Sequence, residues 1–365
     1  MHVASGPLAG IKVIEFAGIG PGPFCAMLLS DLGAEVLRID RRGALPPDEL
    51  DLTTRGRDVI ELDLKDEADR AHCHNAIAAA DVLIEGFRPG VMERLGLGPV
   101  EMLAANPRLV YGRMTGWGQD GPLARRAGHD INYIALTGVL AAMGSPESPP
   151  PPPLNLVGDL GGGALYLAFG IAAALYERER SGLGQVIDAA VVDGSASLMT
   201  MFHGLARRHP KIIERGNNPL SGAKANYRCY RCADGRHIAV GAMEPQFNAE
   251  LLSRMGLPHD LDEREMEMML TLEFAARTRD DWMTLFSNGD ACVSPVLDLN
   301  ETCSDPHLKA RGVHVEIDGV MQPGVAPRFS RTPGEIQGGV PAAPVNTVDR
   351  LHAWCVRGGG DNPPE

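Results

Sequence analysis

The stretch from residue 11 to residue 115 constrains the fold more than any other part of the chain. Runs rich in β-formers occupy 11–16, 35–40, 58–64, 81–85 and 108–115, and helical patterns fall between them over 24–33, 66–80 and 100–105. Strands alternating with helices at this spacing predict a parallel sheet with helices on its faces. The chain has 365 residues, and at about 150 residues per domain a second domain is expected.

The remaining sequence shows where that second domain falls. Residues 144–153 include five consecutive prolines from Pro149, an extended and stiff surface connector. A helix over 160–180, a strand over 185–192 and a helix over 195–207 follow. The texture then turns to Gly, Asn, Pro and Ser across 215–225, which reads as linker. Strands over 227–233 and 236–240 flank Asp234-Gly235, a hairpin signal, and helices are expected over 246–255, 262–274 and 280–287. Beyond 314 the chain is rich in Pro and Gly, with no periodicity until 348–356. The expected division is a large domain over 1–190 completed by 331–365, a linker over 191–224, a small domain over 225–313 and a return linker over 314–330.

Charge narrows the function classes. Lys and Arg total 34 against 47 Asp and Glu, a net charge of -13. Such an acidic chain has no broad electrostatic footprint for nucleic acid or an anionic membrane, so any anion must bind at a local cluster. The longest apolar run, 164–176, is fenced by Glu177 and Arg178; it is too short to span a bilayer and is expected as a buried helix. Met1–Pro7 has no secretion pattern, and Asn362–Glu365 is neither a peroxisomal nor a prenylation signal. Seven scattered cysteines suit a reducing compartment. The expected location is the cytoplasm.

Several motifs could carry chemistry. Gly18-x-Gly20-x-Gly22 joins a strand to a helix, but its spacing is not that of a dinucleotide fingerprint; it leaves an anion site at a helix start. Cys229-x-x-Cys232 lacks a second pair to complete a zinc site, and strand alternation turns its two thiols to opposite faces. Gly128-His129-Asp130-Ile131-Asn132-Tyr133 concentrates an imidazole, a carboxylate, an amide and a phenol. Histidine is the commonest general acid/base, because its usual pKa of about 6.5 lies near working pH. The bland alternative is a helix start with Asp130 as its cap and His129 merely hydrogen-bonded. Asp159 stands immediately before a helix start lined by Gly161, Gly162 and Gly163, and an N-cap role alone would account for it. Three glycines there cost about 1 kcal/mol each against Ala if interior, so something close-packed, backbone or ligand, is expected against them. Glu244 before Pro245 fits a cap equally well.

Together these segments resemble the alpha-methylacyl-CoA racemases of the family III CoA-transferase superfamily. The matching stretches include residues 18–23, 31–40, 85–90, 113–119, 128–133, 155–159, 233–236, 241–247 and 326–330, nearly the whole length of the chain. The Gly-His-Asp-Ile-Asn-Tyr run is the specific one, since related CoA-transferases keep the aspartate matching Asp159 without that histidine. The resemblance implies an α/β fold with a Rossmann-like parallel-sheet large domain, a smaller α+β domain and an interlocked homodimer whose sites are completed across the interface. It implies two-base racemisation of 2-methyl-branched acyl-CoA thioesters, with His129 and Asp159 flanking the α-carbon. Glu244 would come from the partner subunit to orient His129, and Asp130 would support the same network. The glycines 161–163 would let the thioester approach backbone amides that stabilise the enolate. CoA would be held by Arg38, by Leu62, Asp63, Leu64 and Lys65, by Gly86, Phe87 and Arg88, and by the run from Gly128 to Tyr133. No metal, flavin or nicotinamide is implied, because CoA is part of the substrate.

One departure stands out. Where family members often carry Leu-Asp-Gly-Gly-Ala-Pro, this chain has Leu220-Ser221-Gly222-Ala223-Lys224-Ala225, an acid lost and a base gained. Two other readings stay open. One is a CoA-transferase in which Asp159 attacks the thioester. The other is an acyl-CoA-binding protein without catalysis, against which the presence of both His129 and Asp159 weighs.

Overall fold

The computed structural model describes residues 5–45 and 48–356. The terminal residues read above for targeting signals lie partly outside that range, as does the end of the expected 331–365 segment. The chain divides into two compact units: residues 1–137, 153–198 and 309–365 form the first, and 138–152 with 199–308 the second.

The first unit is built on six parallel strands. In chain order its elements are β1 (Lys12–Phe16), α1 (Pro21–Asp31), β2 (Glu35–Arg41), β3 (Asp58–Leu62), α2 (Glu67–Ala78), β4 (Val82–Glu85), α3 (Val91–Arg94), α4 (Pro99–Ala105), β5 (Val110–Thr115) and α5 (Asp130–Leu136). A π-helical segment (Leu156–Ala164), α6 (Leu165–Ser181), β6 (Val186–Ala190) and α7 (Val191–Leu198) follow. The strand order is β3-β2-β1-β4-β5-β6, so the winding reverses between β1 and β4. In open α/β sheets that reversal opens a crevice beyond the carboxyl ends of the strands.

Side chains alternate across the sheet as a period of two requires. Ile14, Phe16, Leu37, Ile39, Ile60 and Leu83 face one core with Ile77 of α2 and Met102 of α4; Leu351 and Trp354 close it from the last helix. Val13, Val36, Val82, Val110 and Met114 face the other, against Cys25 and Leu29 of α1 and Leu167 and Ile171 of α6.

The second unit holds α8 (Thr200–Ala206), β7 (Tyr227–Arg231), β8 (His237–Gly241), α9 (Pro245–Met255), α10 (Glu263–Ala275), α11 (Arg279–Leu285), β9 (Val293–Val296) and α12 (Leu299–Thr302). Its strands form an antiparallel sheet in sequence order. Tyr230, Ile238, Leu251, Phe274 and Trp282 make its core. The thiols of Cys229 and Cys232 are exposed and buried respectively.

The structure corrects three expectations. The helix expected over 195–207 is two, broken at Met199. After α13 (Pro306–Ala310), the stretch expected as return linker carries a hairpin, β10 (His314–Ile317) and β11 (Val320–Pro323), before α14 (Thr347–Val356). Its turn, Asp318-Gly319, takes left-handed backbone at both residues, φ 51° and 79°. The Arg55 guanidinium anchors it by donating to Gln322 Oε1 at 2.7 Å and to the Pro323 carbonyl at 2.8 Å.

The third correction concerns the apolar helix. The π-helical segment runs directly into α6, and the 26-residue helical run is long and apolar enough to cross a membrane by length and composition. One stripe of α6 (Leu167, Ile171, Ala174, Leu175) packs in the core. The opposite stripe leaves Leu165, Phe169 and Tyr176 at 51%, 74% and 69% exposure.

Candidate active site

The cleft above the sheet's reversal is made by chain leaving β1, β4 and β5. Phe16 ends β1 and the Gly18–Gly22 turn leads into α1, whose first helical residue is Pro21, a position where its missing N–H is no loss. Gly86 follows β4 and Gly116 follows β5. With Ile19, Met114, Gly128, His129, Tyr133 and Asp159 they line a cleft of about 320 Å³. The imidazole and the carboxylate singled out in the sequence thus share one cavity.

His129, not Asp130, occupies the cap position of α5. Its backbone is extended, its N–H donates to Asn132 Oδ1 at 3.0 Å, and its side chain is exposed. Asp130 turns inward instead. It is buried, and its Oδ2 accepts the backbone N–H of Asp159 at 2.7 Å. Gly158 permits that approach, because a Cβ there would lie 2.2 Å from Asp130 Oδ2.

Asp159 is likewise not an N-cap: it sits within the π-helical segment. Such wide turns recur at functional sites, where the extra residue re-aims side chains. Burial pushes the Asp159 carboxyl up to about 6, and the Asp130 charge adds to the shift. His129 and a hydrogen bond with Asn155 oppose it. Gly20, at φ 70°, makes room on the other side, since a Cβ there would stand 3.0 Å from Asp159 Oδ2.

The glycines after Asp159 have a backbone explanation. A Cβ on Gly162 would meet Ser195 N at 2.7 Å, and one on Gly194 would meet the Gly162 carbonyl oxygen at 1.8 Å. Gly163 lies against Pro21 and Val191. The π-helical segment and α7 cross backbone to backbone, and this crossing requires the glycines. The expected row of free amides at a helix start is replaced by the interior of a helix.

A second cleft of about 300 Å³ adjoins the first at Phe16, which lines both. It is lined by Leu62, Asp63, Leu64, Lys65 and Phe87, residues that the resemblance assigns to CoA, with Ile39, Asp40 and Arg41. Phe16 and Phe87 stand 5.5 Å apart, ring to ring. Arg38 is not on this wall: it is buried within β2 and its Nε donates to Asp40 Oδ1 at 2.7 Å. Arg41, at the carboxyl end of the same strand, lines the cleft instead. Its place at the carboxyl edge of the sheet, where ligands bind in open α/β folds, sets it apart from Arg38. Arg88 is exposed next to Phe87.

The loop after β4 has a buried support that the sequence did not reveal. Glu85 accepts the Phe87 N–H at 2.7 Å through one oxygen and Arg113 Nε at 2.8 Å through the other, and Arg113 also holds Glu93 at 2.8 Å. Glu244 lies in the second unit, exposed, at the cap position of α9. Among the described residues no cluster of three or more His, Cys, Asp or Glu side chains is arranged to hold a metal ion.

Comparison with known proteins gives the family. Residues 8–347 match the model of CoA-transferase family III. The chain is 44% identical to alpha-methylacyl-CoA racemase of Mus musculus over 89% of its length and 87% of the mouse protein, and 42% identical to the human racemase over the same shares. It is also 33% identical to acetyl-CoA:oxalate CoA-transferase of Acetobacter aceti, over 87% of this chain and 88% of that one. A crystal structure of a CAIB/BAIF family protein from Brucella suis superposes with a TM-score of 0.82 at 27% identity, covering 96% of this chain and all of that one. With the sheet order, the paired clefts and these matches in hand, the chain belongs to CoA-transferase family III.

Proposed function

We propose that the protein is a cofactor-independent racemase that inverts the α-carbon of 2-methyl-branched acyl-CoA thioesters, the chemistry of branched-lipid metabolism. The observation that carries this reading is a pair of unlike bases, His129 and Asp159, on one cleft. Asp159 has a pKa raised to about 6, close to that of an ordinary imidazole. Two unlike bases on one cleft can each serve as acid in one direction and base in the other, which a reaction run both ways requires.

In the reaction, one base removes the α-proton and the electron pair of that C–H bond passes into the thioester, forming an enolate. The conjugate acid of the other base then protonates the α-carbon from the opposite face. The adjoining cleft takes CoA, with Phe87 against its apolar parts and Arg41, Lys65 and Arg88 near its phosphates. Arg is suited to phosphate by its planar fork of donors. The family resemblance supports a homodimer in which Glu244 of one subunit serves the site of the other, and the uncovered apolar stripe of α6 fits such a contact. A cytoplasmic location accords with the free cysteines.

Incubation of one enantiomer of a 2-methylacyl-CoA in D₂O, without an acceptor acid, tests the reading. Deuterium should enter the α-position with inversion, followed by mass spectrometry and chiral chromatography. The transferase reading draws on the same Asp159 and on the similarity to the oxalate enzyme. It requires an acceptor carboxylate and leaves the α-hydrogen in place, so CoA transfer without exchange would displace the racemase assignment.

A further inference from the structure

The peptide plane that joins Gly128 to His129 is bonded at both of its polar atoms. Its carbonyl, on Gly128, accepts a hydrogen bond from the Tyr133 hydroxyl. Its N–H, on His129, donates to Asn132 Oδ1 at 3.0 Å. Both side chains come from the first turn of α5, the helix that His129 itself caps. The next carbonyl, that of His129, accepts the Asn132 N–H at 2.8 Å.

The Tyr133 ring is held firmly enough to act as an anchor. A Cβ on Gly116 would stand 2.0 Å from its Cζ, and one on Gly128 would stand 2.7 Å from its Cε1. The Trp117 ring meets it edge-on at 4.8 Å. The phenol thus lies in a slot that two glycines leave open. Its proton is committed to the Gly128 carbonyl, and burial with the Asp159 and Asp130 charges raises its pKa, so it stays protonated.

The torsions on either side of His129 Cα set the direction in which its Cα–Cβ bond leaves the chain. Because His129 is exposed, packing does little to fix that direction. We infer that Asn132 and Tyr133 are positioning residues: they clamp the Gly128–His129 peptide and thereby aim the His129 imidazole at the substrate α-carbon. This assigns Tyr133 a role other than the CoA contact that the family resemblance suggested, and it rests on the racemase reading above. A misplacement of about 1 Å at a reacting group costs on the order of 10²-fold in rate.

The test uses Tyr133→Phe, which keeps the ring in its slot and removes the hydroxyl, and Asn132→Ala, with Asn132→Asp as the conservative variant that retains an acceptor for the His129 N–H. Solvent deuterium exchange into each enantiomer, with retention, is measured separately beside kcat and KM. Tyr133→Phe and Asn132→Ala should each lower kcat by about 10- to 100-fold with KM changed less than about twofold. Exchange should slow selectively for the enantiomer whose proton His129 removes, shifting the ratio of the two exchange rates by about tenfold or more, and Asn132→Asp should restore most of the loss. An equal fall in both exchange rates, or a rise in KM at constant kcat, would overturn the clamp in favour of a structural or CoA-binding role. Absence of exchange by the unsubstituted protein would instead overturn the racemase reading, and the clamp with it.

Discussion

Asp130 and Asp159 place two carboxylates in one network, and only one of them faces the cleft. The buried Asp130 accepts the Asp159 N–H, and its charge helps hold the Asp159 carboxyl up near 6. The proposed racemisation needs one proton shared between the two bases, so protonating both would stop it. The kcat/KM profile should therefore fall as pH drops through about 6. Asp130→Asn keeps an amide oxygen for the Asp159 N–H but removes the charge that raises its neighbour's pKa. The acid limb should then move to lower pH, a shift that a pH–rate profile in buffers of constant ionic strength reads directly. An unmoved limb would mean that burial alone sets the Asp159 pKa. His129 and Asp130 stood out in the sequence because an imidazole, a carboxylate, an amide and a phenol crowd one short run. Arg38 and Arg41 were not told apart, since both are basic, both lie on β2, and only the sheet shows which reaches its carboxyl edge.

At the scale of elements, the least legible feature was the π-helical segment. An aspartate followed by three glycines reads as the cap of an ordinary helix, because capping is a local signal. The wide turn is imposed from outside, by α7 crossing so closely that neither Gly162 nor Gly194 has room for a Cβ. No periodicity in residues 156–164 records that contact. Gly194→Ala would put a methyl carbon 1.8 Å from the Gly162 carbonyl oxygen, a backbone clash that rotamer change cannot relieve. We expect a loss of about 1–3 kcal/mol or more in urea unfolding, the usual cost of overpacking, and an activity loss larger than stability alone explains, because the displaced turn carries Asp159. A variant of normal stability and activity would show that the crossing is looser than its geometry indicates. The strands and helices of the large sheet, by contrast, followed from β-rich runs alternating with helical patterns, whereas the hairpin at Asp318-Gly319 left little trace because the strands beside it are only four residues each.

For the whole molecule, the residues assigned to one reaction come from two separate units of the chain. His129 and Asp159 lie on the parallel-sheet unit, whereas Glu244 opens a helix of the other. If Glu244 reaches a site only in a partner subunit, as proposed, two defective chains can repair each other. His129→Ala subunits keep Glu244, and Glu244→Ala subunits keep His129. A heterodimer of the two therefore holds one site with both residues and one with neither. Each homodimer should be severely impaired; co-refolding equal amounts should recover about one quarter of wild-type specific activity, because random pairing makes half the dimers mixed and each mixed dimer has one intact site of two. The stripe Leu165, Phe169 and Tyr176 supplies a control on the same assembly. If that stripe is part of the interface, Phe169→Glu should shift the protein toward monomer in analytical ultracentrifugation and lose activity with the dimer. Recovery near zero, with mixed dimers demonstrated by mass, would place Glu244 in the same chain's site or outside the mechanism, and it would leave His129 and Asp159 to work without a residue from across the interface.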